Sequence, residues 1–428
     1  MRENTFVIKG DLCYSAGPSR LETQPDGFWV VVEGRSAGVY DTLPERFSSL
    51  PLLDWSGKLV IPGLVDLHLH APQYTLRGMG MDLELLDWLE QRVFPEESRY
   101  LDLQYAKAAY TIFAGDLRRS PTTRACIFAT VHTAATALLM DLMEETGLVS
   151  YVGRVNMDRN CPDSLRERDA QTAVADTVAW LDGTAGRYQH VRPILTPRFL
   201  PTCSDALLRR LAEIQRERRL PLQSHLSENM GEAAWVQELC PSAPCYGAAY
   251  DAFGLFGANG PVIMAHCVLS SPEEIALLKA RGVWVAHCPQ SNANLSSGIA
   301  PTRRYLEQGL NIGLGSDIAG GSSPSIFRAM ADAIQVSKLR WRIQEDALPP
   351  LTMEEAFWLG TAGGGGFFGR VGSFAEGYEA DALVLDDSRL KSPRPLTLSE
   401  RLERIIYLGE AEDLIAKYVQ GRPVWTRP

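Results

Sequence analysis

The chain has 428 residues, of which 45% are hydrophobic and 22% are charged, and its formal net charge at pH 7 is −10. This composition is typical of a globular protein, and no apolar run reaches the about 18 residues that a membrane-spanning helix needs. The negative charge argues against a nucleic-acid partner, which would require a basic face. The amino terminus lacks the long apolar segment of a signal peptide, so we expect a cytoplasmic protein.

Eight cysteines are scattered along the chain, and none of them forms a CxxC pair. A structural zinc site made of thiolates usually needs two such pairs. In a chain expected to stay in a reducing compartment, we therefore predict reduced cysteines with structural roles.

Short apolar runs between turn residues occupy both ends of the chain. FVIKGDLCYS, FWVVVEGRSAGVY and KLVIPG near the start, and DALVLDD, ERIIYLGE and LIAKYVQGRPVW near the end, are typical of short strands. We therefore predict a small β-sandwich domain built from both chain termini, with residues 1–62 and 370–428 as its two parts.

Between these ends, strand-like and helix-like segments alternate. HVRPILTPRFL, PLQSHLSE, GPVIMAHC, VWVAHCPQS and NIGLGSD are strand candidates, and DALLRRLAEIQRERR, SSPEEIALLKARG and SPSIFRAMADAIQVSKLRW have helical periodicity. Such alternation indicates a parallel sheet, and at this length we predict an α/β fold with a TIM-type (β/α)8 barrel over residues 63–369. GGGG at 363–366 is predicted to be a flexible patch.

Metal-binding side chains stand at the ends of several predicted strands. They are His68 and His70 in VDLHLH, His225 in PLQSH, His266 in VIMAH and Asp317 in IGLGSD. The carboxyl ends of barrel strands meet at one rim, and strand residues two positions apart point to the same side. A lone histidine at a strand end is more often a surface or hydrogen-bonded residue, but five such positions together predict a metal site. Nitrogen ligands with one carboxylate favour Zn²⁺, or Fe²⁺, over Mg²⁺.

Glu228 follows His225 by three residues, in SHLSEN. A carboxylate beside a metal site could take a proton from a bound water and pass it to a leaving group. The alternative is that Glu228 caps the start of a helix.

Together these residues resemble the amidohydrolase superfamily and, within it, the guanine deaminases. The resemblance covers nearly the whole chain and is densest in PGLVDLHLHAPQY, LLDWLEQRVFPEE, TPRFLPTCS, SHLSEN, HCPQSNANLSSG and GLGSDIAGGSSPS. HxH, SHLSEN and GSD are shared widely across the superfamily. HAPQY, TPRF, WLEQRVFPEE and GGSSPS look specific to guanine deaminases.

This resemblance implies hydrolytic deamination of guanine to xanthine and ammonia by a metal-activated water, a step of purine catabolism or salvage. The implied metal ligands are His68, His70, His225 and Asp317. The implied catalytic residues are Glu228, Asp317 and His266. The implied substrate contacts are Gln73, Arg198, Phe199 and His266. The resemblance also implies a homodimer.

The number of metal ions follows from the fourth predicted barrel strand. Relatives with two metal ions bridge them through a carboxylated lysine, typically on that strand. HVRPILTPRFL has no lysine, and Arg198 cannot take its place because its guanidinium stays protonated. We therefore predict one zinc ion per chain, with iron as the other candidate.

Several alternatives stay open at this stage. The chain could be a hydrolase of 8-oxoguanine, a pterin, a triazine or another aminated heterocycle, or a scaffold that has lost catalysis. Gln73 could lie in a surface loop and Arg198 in a salt bridge. Spacing alone would admit His287 as a ligand, although the resemblance implies that it does not bind the metal, and Asn292 is expected to stabilise its loop. Trp88 and Phe94 are predicted to form either a lid over the base or a subunit contact.

Overall fold

The computed structural model describes residues 4–344 and 347–427. The first three residues and the last residue of the predicted β domain lie outside this range. No helix within it is long and apolar enough to span a membrane. All eight cysteines lie within it and are free, as predicted.

The strands of the described residues, in chain order, are β1 Phe6–Gly17, β2 Arg20–Val32, β3 Arg35–Tyr40, β4 Leu52–Pro62, β5 Leu64–His70, β6 Thr122–Phe128, β7 Val149–Gly153, β8 Val155–Asn156, β9 Val191–Pro193, β10 Thr196–Pro197, β11 Leu222–Leu226, β12 Val262–His266, β13 Trp284–His287, β14 Asn311–Leu314, β15 Ala382–Leu385, β16 Leu414–Val419 and β17 Arg422–Thr426.

The α-helices are α1 Leu85–Trp88, α2 Phe94–Ser98, α3 Leu103–Arg119, α4 Thr133–Thr146, α5 Ala170–Thr184, α6 Asp205–Arg218, α7 Met230–Leu239, α8 Tyr246–Ala252, α9 Pro272–Arg281, α10 Pro289–Asn294, α11 Thr302–Glu307, α12 Ile326–Ile343, α13 Met353–Trp358 and α14 Leu398–Leu408. Short 3-10 turns cover Glu45–Phe47, Ala71–Leu76, Arg99–Leu101, Leu200–Thr202, Gly366–Phe368 and Ala411–Asp413, and π-helical turns cover Leu89–Val93 and Leu359–Gly363.

The middle of the chain forms a closed parallel barrel. Strands β5, β6, β7 and β9 pair in that order, as do β11, β12, β13 and β14. A bridge between Leu195 and Leu222 joins the two sets on one side. On the other side, the Asp317 N–H donates to the His68 carbonyl at 2.8 Å, and the His70 N–H donates to the Ile318 carbonyl at 2.9 Å. These links complete the ring, so the predicted barrel is confirmed.

Strands from both ends of the chain form one seven-stranded sheet in the order β17-β16-β15-β4-β1-β2-β3. Strands β1 and β4 pair in parallel, and the other neighbours are antiparallel. The sheet has an apolar core of its own, in which Trp29 stacks on Phe374 with ring centroids 4.2 Å apart. Assembly of a small β unit from both termini is therefore confirmed, while the domain boundaries after residues 62 and 369 stay a prediction.

Serine caps fix two helices that follow barrel strands. Ser204 accepts a hydrogen bond from the Leu207 N–H at the start of α6, as its position in the sequence predicts. Ser271 does the same for the Glu274 N–H of α9, which begins at Pro272. Side-chain oxygens at these positions satisfy backbone donors that have no partner inside the helix.

The segment ERIIYLGE, predicted to be a strand, lies mostly in α14, and that prediction was wrong. Thr397 accepts from the Glu400 N–H at 3.2 Å, while the Glu400 carboxylate accepts from the Thr397 N–H at 2.8 Å. A short apolar run alone does not distinguish a strand from a helix. The reciprocal Thr-x-x-Glu cap is the local signal that identifies the helix.

Glycines 363–366 do not form the flexible patch that we predicted. The chain is helical here, and a Cβ added at Gly313 of β14 would lie 2.5 Å from the Cα of Gly364. A Cβ added at Gly365 would lie 2.3 Å from the carbonyl oxygen of Val371. The glycines therefore allow a helical turn to pack directly against β14, the strand that leads to Asp317.

Candidate active site

Four predicted ligands converge at the carboxyl ends of barrel strands. They are His68 and His70 at the end of β5, His225 near the end of β11, and Asp317 just after β14, and all four are buried (the metal cluster). Oδ1 of Asp317 lies 3.1 Å from Nε2 of His68 and 3.5 Å from Nε2 of His70. The Nε2 atoms of His70 and His225 are 3.2 Å apart. The structure therefore brings together side chains that are far apart in the sequence.

The nitrogen atoms of the metal cluster fit a bound cation. His225 Nδ1 is 2.5 Å from the Arg198 carbonyl, so Nδ1 carries the hydrogen and Nε2 presents a lone pair to the cluster. Among the described residues, His68 Nε2 and His70 Nδ1 have no hydrogen-bond partner of good geometry. A hydrogen bond from His70 to His225 would leave His70 Nδ1 as a buried acceptor without a donor. Because buried polar atoms are normally satisfied, the donor set points to a shared metal ion.

The ionisation of the cluster also suits a metal ion. Burial, reinforced by His68, lowers the pKa of both His70 and His225 well below the ordinary value, so both rings stay neutral. For Asp317, burial raises the pKa, but the neighbouring His68 and His266 outweigh it and hold the pKa well below the ordinary value. Neutral imidazoles and an ionised carboxylate are the forms that bind metal ions.

His266, at the end of β12, is oriented by Asn292. Its Nδ1 lies 2.9 Å from Oδ1 of Asn292, so Nδ1 carries the hydrogen. Its Nε2 then faces Glu228 Oε2 at 3.4 Å and Asp317 Oδ2 at 3.7 Å. Burial lowers the pKa of His266 to about 4, so the ring is neutral at pH 7. We had predicted only a loop-stabilising role for Asn292.

Glu228 is buried beside the cluster and does not cap a helix. Helix α7 is capped instead by Asn229, which accepts from the Gly231 N–H at 2.8 Å. The Glu232 carboxylate accepts from the backbone N–H of Glu228 at 2.9 Å, which fixes the main chain there. Burial, followed by the charge of Asp317, raises the pKa of Glu228 well above the ordinary value, which favours the uncharged carboxyl group.

The predicted substrate contacts lie in the same cleft. The cleft is lined by Gln73, Arg198 and Phe199 together with Glu228 and residues of the metal cluster. Trp88 also lines this cleft. Phe94 lies behind Arg198, with its ring centroid 5.2 Å from the guanidinium carbon.

Glu97 is a residue of this cleft region that our sequence reasoning missed. Its Oε2 accepts from Arg198 Nη1 at 2.6 Å, and its Oε1 accepts from Gln73 Nε2 at 2.9 Å (Gln73, Glu97 and Arg198 are the polar triad). The salt bridge that we had considered as an alternative for Arg198 therefore exists, within the group that borders the cleft. Glu97 belongs to the quoted stretch WLEQRVFPEE, which was the available signal.

His287 is the last residue of β13, and Cys288 follows it. Neither residue was predicted to bind the metal ion. Burial, reinforced by His266, lowers the pKa of His287 to about 3, and among the described residues neither ring nitrogen has a hydrogen-bond partner. The Cys288 sulfur lies within 4.8 Å of potential ligand atoms of His68, His266 and Asp317. Burial raises the pKa of Cys288 well above the ordinary value, which keeps the thiol protonated.

Three residues around the site have positive φ angles although none is glycine. They are Ser227 (φ 49°), His266 (φ 73°) and Asp317 (φ 45°). Such conformations cost energy and persist where the surrounding structure holds them, which is common at functional sites.

The comparisons with known proteins identify the class. The sequence model of the amidohydrolase family matches residues 59–424, and the chain belongs to that family. Guanine deaminase from Dictyostelium discoideum is 39% identical to it over 381 residues, which cover 87% of this chain and 84% of that protein. Guanine deaminase from Homo sapiens is 36% identical over 378 residues, or 85% of this chain and 82% of that protein.

A solved structure gives the same result. The crystal structure of guanine deaminase from C. acetobutylicum, with guanine bound in its active site, matches with a TM-score of 0.96 and 44% identity. The match covers 99% of this chain and 100% of that chain. The resemblance to guanine deaminases that the motifs indicated is therefore confirmed.

Proposed function

We propose that this chain catalyses the hydrolytic deamination of guanine to xanthine and ammonia. The observation that carries the proposal is one cleft lined by Glu228, Gln73 and Arg198 together with residues of the metal cluster. The likeness to proteins named guanine deaminases supports guanine as the substrate.

We propose one metal ion per chain, zinc in preference to iron, held by His68, His70, His225 and Asp317. Three imidazoles and one carboxylate form a donor set that zinc favours. When bound, such an ion lowers the pKa of a water molecule towards neutrality, to about 7 in good cases.

The purine would bind with its polar edge on Gln73 and Arg198. Arg198 offers rigid, permanently charged donors that suit a carbonyl oxygen. Adenine carries an amine where guanine has this oxygen, and its binding would leave a buried donor of Arg198 unpaired. Such a loss costs about 1–3 kcal/mol. Phe199 and Trp88 both line the cleft, where Phe199 would pack on the base and Trp88 would limit the access of bulk water.

The proton transfers would use the two carboxyl groups at the centre of the cleft. Water adds to C2 of guanine, the carbon that carries the amino group, and the amino group leaves as ammonia. Asp317, ionised in the structure, would accept a proton from the attacking water. Glu228, whose pKa is raised by burial, would donate its proton to the adjacent ring nitrogen. The proton held by Asp317 would then pass to the leaving amine, and Glu228 would take the proton of the C2 hydroxyl as the carbonyl forms and the amine leaves as ammonia. His266 would position the reacting group through the nitrogen that faces Glu228.

A substrate panel tests this proposal. Ammonia release is measured with metal-replete protein on guanine, adenine, cytosine and 8-oxoguanine, together with a pterin and an aminated triazine. We expect the highest kcat/KM on guanine. Higher kcat/KM on another heterocycle would keep the deaminase chemistry and change the substrate, and no ammonia from any compound would contradict the proposal.

The predicted homodimer and the cytoplasmic location depend on the resemblance and on the sequence alone, and they stay predictions. Light scattering on the purified protein measures the oligomeric state directly.

A further inference from the structure

Glu97 connects two side chains that come from different parts of the barrel rim. Gln73 lies in the 3-10 turn after β5, and Arg198 follows β10, whereas Glu97 lies in α2. One carboxylate oxygen accepts from each of them, at 2.9 Å and 2.6 Å respectively. All three residues are at most 3% exposed, so water does not screen these contacts.

The contact with Glu97 fixes which way the Gln73 amide points. Gln73 Oε1 accepts from the Ala319 N–H at 3.3 Å, and its Nε2 donates to Glu97. If the amide were flipped, its oxygen would face the carboxylate and its NH2 would face another donor. The present orientation leaves one Nε2 hydrogen and one Oε1 lone pair free for a ligand.

Glu97 also determines where the Arg198 guanidinium lies and compensates its charge. The 2.6 Å contact uses one hydrogen of Nη1, and the guanidinium carbon lies over the ring of Phe94, 5.2 Å from its centroid. A buried guanidinium without an ionised partner would be strongly destabilised, and the side chain would move to find another acceptor. With the pairing in place, the other donors of Arg198 keep a fixed direction.

We propose that Glu97 is a positioning residue that sets the preference for a purine with a carbonyl on its six-membered ring. Its carboxylate aligns the free donors of Gln73 and Arg198 on the same edge of the base. This inference rests on the proposed function, because it takes the purine to lie in the cleft beside these two side chains. Glu97 itself has both oxygens engaged with protein and acts through its two partners.

Two purines, one with only the ring carbonyl of guanine and one with only its amino group, distinguish recognition of the carbonyl from recognition of the amino group. Hypoxanthine has the ring carbonyl without the reacting amino group, and 2-aminopurine has the amino group without the carbonyl. Both are used as competitive inhibitors of guanine turnover. For Glu97→Gln we expect the Ki of hypoxanthine to rise about tenfold or more, and the Ki of 2-aminopurine to change less than about threefold.

Glu96→Gln is the matched control, because Glu96 is the preceding residue of α2 and is also buried. Its carboxylate accepts from Thr75 Oγ1 at 2.8 Å and from the Tyr105 hydroxyl, and it does not line the cleft. We expect it to leave the ratio of the two Ki values unchanged. If Glu97→Gln also left the ratio unchanged, its role would be structural and the inference would be wrong.

A second variant covers the case in which Glu97→Gln does not fold. Replacing both charged partners, in Glu97→Gln with Arg198→Gln, leaves no unpaired buried charge. Its Ki for hypoxanthine should rise less than tenfold above that of Arg198→Gln alone, since Glu97 can then act only through Gln73. A further rise of tenfold in the double variant would contradict the inference. Absence of guanine turnover in the unchanged protein would instead contradict the proposed function.

Discussion

The two ends of the cleft satisfy their buried polar groups in different ways. At one end, the polar triad is paired within the protein, with both oxygens of Glu97 occupied by Gln73 and Arg198. At the other end, the metal cluster brings nitrogen lone pairs close together and leaves ring nitrogens without hydrogen-bond partners among the described residues. The polar triad is therefore organised before any ligand binds, whereas the metal cluster requires one to complete its interactions.

In the proposed mechanism, each end of the cleft has a different task. Recognition gains from donors that are already fixed, since little reorganisation is then needed on binding. Activation of water needs an open coordination position, so the protein supplies the ligands without satisfying them all itself.

The largest effect should come from removing the metal ion from the metal cluster. A chelator should reduce guanine turnover below detection, and one equivalent of zinc per chain should restore it. The melting temperature should fall on removal, because a ligand that binds only the folded state stabilises it. Activity assays, elemental analysis and thermal unfolding measure these three effects. Full turnover by metal-free protein would contradict the assignment, and two tightly bound ions per chain would contradict the single-metal prediction.

The next largest effect should follow from Glu228→Gln. Loss of the proton donor should lower kcat by about 10²- to 10⁴-fold. Metal content and melting temperature should hardly change, because the amide has nearly the shape of the carboxyl group and burial favours an uncharged group at this position. Steady-state kinetics and elemental analysis on the same preparation separate the two properties. Near-normal turnover would remove Glu228 from the mechanism.

The convergence of the ligand candidates could be predicted from the sequence because strand geometry relates them, whereas the choice of His68, His70, His225 and Asp317 over His266 came from the resemblance. Each ligand stands at or just beyond the end of a recognisable strand, and parallel strands of a barrel end at one rim. Glu97 had no such rule, since it lies in the short helix α2 between β5 and β6 and meets Arg198, 101 residues later, only in the folded chain. The wrong prediction for α14 has a different cause, because its apolar run was considered without the capping pair Thr397 and Glu400.

A smaller effect is expected from Asn292→Ala, which tests whether the hydrogen bond to Asn292 keeps the His266 ring in place. Loss of the acceptor for His266 Nδ1 should let the ring change tautomer and orientation, and kcat should fall about tenfold, the equivalent of one net hydrogen bond. Asn292→Asp keeps an acceptor at the same place and should retain more of kcat. Steady-state kinetics of both variants give the two kcat values to be compared. Equal losses in the two would mean that the hydrogen bond to His266 is not what Asn292 contributes.

The smallest effect should come from Cys288→Ala, although the sulfur lies within reach of the metal cluster. Burial keeps this thiol protonated, and only a thiolate would bind the metal ion firmly. Metal content should therefore remain at one ion per chain and kcat/KM should stay within about threefold, with a loss of stability on the order of 1 kcal/mol for the buried sulfur. Elemental analysis and thermal unfolding of the variant measure both quantities. A loss of bound metal would show that the cluster includes a sulfur ligand, and the cluster would then differ from the imidazole and carboxylate set that the strand ends predict.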